Sequence, residues 1–91
     1  MTLQEHIKEF EDKWNVRIDE GRTRLDTVMI KCFQNRENTI NLPSFLIDAM
    51  WVGKGRISYS TDIGRSPYLS LEFINDFQKF VERIRKIDEL N

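Results

Sequence analysis

Catalysis needs a nucleophile, an acid, a base or a metal ligand held beside a partner, and this chain of 91 residues offers few such groups. His6 is its only histidine and Cys32 its only cysteine. A metal site needs at least three good ligands held together, which one His and one distant Cys do not supply. A reactive thiol needs exposure and a cationic neighbour. Cys32 falls on an expected inner strand whose Lys31 points to the opposite face, so it reads as a small buried hydrophobe. Ser58, Ser60, Ser66 and Ser70 have no histidine beside them, and a Ser-His-Asp arrangement would have to recruit His6 from the far end of the chain. Gly53-Lys54-Gly55-Arg56 is only loosely like a phosphate cradle, which requires a longer Gly-rich run after a strand and before a helix. The order expected here is the reverse, and a helix cap with a turn accounts for the glycines. The sequence therefore predicts no enzyme, no cofactor and no metal.

The elements that would position these groups are easier to read. Thr2-Leu3-Gln4-Glu5 is a capping box, and Leu3, Ile7, Phe10 and Trp14 follow at helical spacing, which predicts a helix over about residues 3–13. Trp14, Val16 and Ile18 alternate with polar residues as in a half-buried strand, and residues 20–24 read as a turn. Leu25 to Phe33 reads as a second strand, with Val28, Ile30 and Cys32 on one face and Met29 and Phe33 on the other. Apolar residues on both faces predict an inner strand covered on both sides. Thr39-Ile40-Asn41-Leu42 reads as a short extended segment.

Alternation in Ile57, Tyr59, Thr61 and again in Leu69, Leu71, Phe73 predicts a hairpin. Its register pairs Tyr59 with Leu69, Ile57 with Leu71 and Arg56 with Glu72. Asn75 would cap a final helix carrying the stripe Phe77, Phe80, Val81, Ile84 and Ile87 to about residue 89. The expected fold is a single α+β domain over residues 1–91. Its mostly antiparallel sheet of four or five strands has N-terminal, central and C-terminal helices, in the order α-β-β-α-β-β-α.

The central helix is the one expected over Ser44–Val52. Pro43 suits a first helical position and Gly53 the left-handed residue past the end. Phe45, Leu46, Ile47, Ala49 and Met50 cover more than one stripe of such a helix, so it must be either a core element or a contact surface.

Composition narrows the partners. Hydrophobic residues at 40% permit a real core, and 32% charged residues with few Pro and Gly argue against disorder. No apolar run is long enough to span a membrane. The opening Met-Thr-Leu-Gln-Glu-His lacks the regions of a signal peptide, and a single cysteine makes no internal disulfide, so the expectation is a cytoplasmic protein. Net charge is −1, and residues 15–68 carry eight basic against six acidic side chains, too slight a bias for a nucleic-acid footprint.

By elimination, and from the over-apolar segment, the leading expectation is a small non-enzymatic protein-binding module. It would be an inhibitor or regulatory accessory factor, phage-type or antitoxin-like, that acts by occupying a macromolecular partner. Its expected contact patch is Trp51, Arg56, Arg65 and Tyr68, types that dominate binding hot spots. The alternative is a single-stranded DNA or RNA binder using Arg22, Arg24, Lys54, Arg56 and Tyr68, with phosphate contacts and base stacking. A third reading is a homodimer whose two-fold interface buries Ser44–Val52.

Overall fold

The computed structural model describes residues 1–23, 25–34, 45–61 and 70–89. The elements are α1 (Leu3–Trp14), β1 (Val16–Arg22), β2 (Thr27–Gln34), β3 (Phe45–Val52), β4 (Ser58–Thr61) and α2 (Leu71–Glu89). The four strands form one antiparallel sheet in the order β1-β2-β3-β4. The chain is thus a small α+β protein, with two helices among the described residues. None of the described helices is long and apolar enough to cross a membrane.

The N-terminal capping box forms as its spacing requires: the Glu5 N–H donates to Thr2 Oγ1 and the Thr2 N–H to Glu5 Oε1, both at 3.2 Å. The helix stops where Asn15 turns left-handed at φ 54°, with its N–H on the Glu11 carbonyl. The chain then passes directly into β1. From α1, the Glu11 carboxylate accepts the Ile18 N–H at 2.9 Å. An edge strand is thereby capped by a side chain at one of its outward donors.

The largest departure from expectation is at residues 45–52, which form β3 and not a helix. An apolar run this short fits either element, and pairing decides it. β2 and β4 flank the segment, matching Ala49 with both Ile30 and Tyr59. As a strand, the run separates by alternation: Ile47, Ala49 and Trp51 are buried, while Asp48, Met50 and Val52 fall on the other face. Pairing with β2 skips Leu46, and this bulge lets both Leu46 and Ile47 turn inward. Gly53 is left-handed, at φ 53°, as its position suggested, but it ends a strand.

The expected second hairpin is also absent. Leu71 and Phe73 belong to the first turn of α2, and β4 pairs with β3. The cap is Ser70 and not Asn75: Ser70 Oγ accepts the Phe73 N–H at 3.1 Å, and its carbonyl accepts the Ile74 N–H. β1 runs on to Arg22, so the turn begins three residues later than expected. The extended segment expected at 39–42 lies outside the described residues.

One core results. Ile7 and Phe10 from α1 and Phe73, Phe77, Phe80, Val81 and Ile84 from α2 pack on Val16, Ile18, Val28, Ile30, Cys32, Ile47, Ala49 and Trp51. All those strand positions share one face of the sheet, so both helices cover the same face. β2 is an inner strand as expected, but among the described residues no helix covers its second face, where Met29 and Phe33 are half-buried.

Trp51 is 2% exposed, which removes it from any contact patch on the folded chain. Trp51→Ala should destabilise the protein by about 3–5 kcal/mol, the cost of emptying a large aromatic site. Chemical denaturation followed by circular dichroism checks this; a loss below about 1 kcal/mol would place Trp51 at the surface.

Candidate functional site

The sheet face opposite the two described helices is built by register. One row across the strands reads Asp19, Lys31, Asp48, Ser60, and the next reads Gly21, Met29, Met50, Ser58. Val52 lies opposite Thr27 at one end, and Arg17 lies opposite Phe33 at the other. The Arg17 guanidinium sits 4.5 Å from the Phe33 ring centroid, a cation–π contact that shields part of the ring. Met50 is 42% and Val52 55% exposed. Apolar side chains therefore sit among two cations, Arg17 and Lys31, and two anions, Asp19 and Asp48.

The residues expected to bind are distributed differently. Arg22 ends β1, while Lys54 and Arg56 follow β3, so these exposed cations gather at one end of the sheet and off its open face. The Arg85 guanidinium joins them there by donating to the Lys54 carbonyl. Arg24, Arg65 and Tyr68 lie outside the described residues. Of the partner-binding set, Arg56 alone is described at the surface, and Trp51 is in the core. Sequence reasoning drew Ser44–Val52 into an interface only as a helix, in the homodimer reading, and overlooked Lys31 on the neighbouring strand as part of that surface. The signal was there: Lys31 shares a strand face with Met29 and Phe33, and a covered face seldom accepts a lysine.

A second concavity, of about 380 Å³, lies between the helices and is lined by Met1, His6, Glu9, Phe10, Lys13, Asp76 and Arg83. Its Asp76 carboxylate is already committed. Trp14 Nε1 donates to Asp76 Oδ2 at 2.6 Å, and Lys13 Nζ lies 3.1 Å from the same oxygen. Burial alone would raise this carboxyl, but the Trp14 and Lys13 hydrogen bonds and the charges of Lys13 and Arg83 outweigh it and hold the group below its ordinary value. It stays ionised to tie the helices together, which is a structural role. A smaller hollow of about 70 Å³ lies by Leu3, Val28, Trp51, Ile84 and Ile87, with Glu20 and Arg22 among its lining residues. Among the described residues, no three His, Cys, Asp or Glu side chains converge as metal ligands would.

Compared with known protein families, curated proteins and solved structures, the chain matches none.

Two outcomes test these assignments. Because Asp76 is depressed in the folded chain, its stabilisation is present above the ordinary carboxylate value and lost as pH falls through the folded one. Asp76→Asn should cost about 1–2 kcal/mol at neutral pH and flatten the acid limb, as read by denaturation across pH. Cys32 is fully buried, and burial, reinforced by Glu11, pushes its thiol up to about 12. A disulfide reagent at about pH 8 should modify it at least ~100-fold more slowly in the folded than in the denatured chain.

Proposed function

We propose that this chain is a small non-enzymatic protein-binding module, working by laying the open face of its sheet against another protein. The observation that carries this reading is the pair Met50 and Val52, exposed beside Met29 on a face that no described helix covers. Apolar groups set among polar ones are common in protein interfaces, and Met adapts readily to the shape it meets. A regulatory accessory factor or inhibitor acts in this way, by occupancy rather than by chemistry.

The balance of charge favours protein over nucleic acid on this face. Arg17 and Lys31 are offset by Asp19 and Asp48, and Lys31 has an aspartate beside it on each neighbouring strand. A phosphate backbone laid there would meet carboxylates at every second position. The basic end formed by Arg22, Lys54, Arg56 and Arg85 supports the nucleic-acid reading as the alternative.

Capture experiments on the full chain, with and without nuclease, separate the two. The expected result is a stoichiometric protein that survives nuclease and is lost from a Met50→Lys/Val52→Lys variant of unchanged circular dichroism. Capture that vanishes with nuclease, falls steeply with salt and depends on Lys54 and Arg56 would replace the docking face with the basic end.

A further inference from the structure

The two rows of the open face have a symmetry that names an occupant. A two-fold axis running parallel to the strands, midway between β2 and β3, lays β2 over the β3 of a second copy and β1 over its β4. Each row then faces itself in reversed order. Lys31 comes opposite the second copy's Asp48, Met29 opposite its Met50, and Asp19 opposite its Ser60. An axis running across the strands through this row would instead set Lys31 against Lys31 and Asp48 against Asp48, and one running between the two rows would set Lys31 against Met29 and Asp48 against Met50. Neither brings the opposite charges together, so charge favours the axis along the strands. Twisted sheets pack aligned within about 30°, and register survives that angle best near the axis, where the matched β2 and β3 residues lie.

The area suits a weak dimer. Four strands about 4.8 Å apart, with about 3.3 Å of rise per residue, present a flat footprint of roughly 400 Å² per copy. Side-chain relief brings the pair to about 800–1,200 Å², the range of weak, transient interfaces. The edges of the sheet offer less to a second copy. β1 is capped by Glu11 at Ile18, and β4 is four residues long.

We propose that the open face docks a second copy of this chain as a two-fold, face-to-face sheet sandwich, closed by reciprocal Lys31–Asp48 pairs around a Met29–Met50 centre. The inference rests on reading this face as a docking surface and names what docks there. Because the axis runs along the strands, the Arg22, Lys54 and Arg56 ends of both copies come to the same end of the pair.

Sedimentation equilibrium of the full chain from about 5 to about 500 µM tests this, with a dissociation constant expected in the micromolar range. Lys31→Glu sets a carboxylate against Asp48, and Asp48→Lys sets an ammonium against Lys31. Each variant alone should weaken the dimer at least roughly tenfold, and an equimolar mixture of the two should restore it as a heterodimer. A second measurement does not depend on those variants folding. A spin label on Ser60→Cys, with buried Cys32 silent, should broaden the Asp19 amide of an isotope-labelled second copy rather than that copy's own Ser60.

A wild-type chain that is monomeric throughout the range overturns the proposal. So does a dimer that survives both charge variants, or one in which the label broadens the second copy's Ser60. If the chain is monomeric but Met50→Lys/Val52→Lys still loses a captured protein, the docking face stands and only its occupant is wrong. If that variant loses nothing, both readings fall.

Discussion

Phe10 joins the two ends of the chain. Its ring stacks on Phe80 at 4.7 Å between centroids and meets Phe73 and Phe77 at 5.9 Å each. One turn on, Trp14 meets Phe73 edge-on at 5.1 Å, and its indole N–H reaches Asp76. The strand pairing is sequential: the four strands pair in sequence order, and α1 runs directly into β1. α2, by contrast, packs back on the sheet and on α1, and its docking on α1 must close a loop of about sixty residues before any aromatic contact rewards it. Until it closes, the inner face of the sheet has no complete cover.

The same joint limits what the fold can hide. With both helices drawn to one face by the phenylalanine cluster, the opposite face of β2 and β3 goes without a described helix. Its edges are guarded all the same. Glu11 takes an outward donor of β1, charged Arg17, Asp19, Glu20 and Arg22 line that strand, and β4 is short and serine-rich. Guarded edges, with Met29, Met50 and Val52 on the face away from the described helices, favour the proposed face-to-face contact over strand-to-strand pairing.

How far the residues foretold this depends on the period of each segment. α1 was legible because capping box and stripe agree. The inner faces of β1 and β2 were legible because Val16 with Ile18, and Val28 with Ile30 and Cys32, alternate cleanly. Phe73 misled because it satisfies two periods at once, ending the alternation Leu69, Leu71, Phe73 and opening the helical series Phe73, Phe77, Phe80, Val81, Ile84. Ser70 decides between them by taking the helix N-terminal donor. At 45–52 no local signal could decide, since Pro43 and Gly53 fit the ends of a helix and the apolar run fits both elements. The partners β2 and β4 settle it, and with it the place of Trp51: in the core of the sandwich rather than at its rim. A contact patch drawn around Trp51 inherited that error, and Met50 and Val52 entered an expected interface only as part of a helix.

Those two residues carry the proposed docking surface because the described fold makes so little use of them. A Thr or a Lys at either position would serve an exposed strand face as well, with no loss to the core. Apolar area left in water contributes nothing to folding, and each square ångström gains about 25 cal/mol only when something covers it. Lys31 and Asp48 sharpen the point. They sit side by side in one row, where neither packs against the helices, and their alternation with Asp19 sets charge of both signs next to the Met29–Met50 row. Such a pattern suits a partner that carries both signs at the same spacing, and it opposes one of uniform charge.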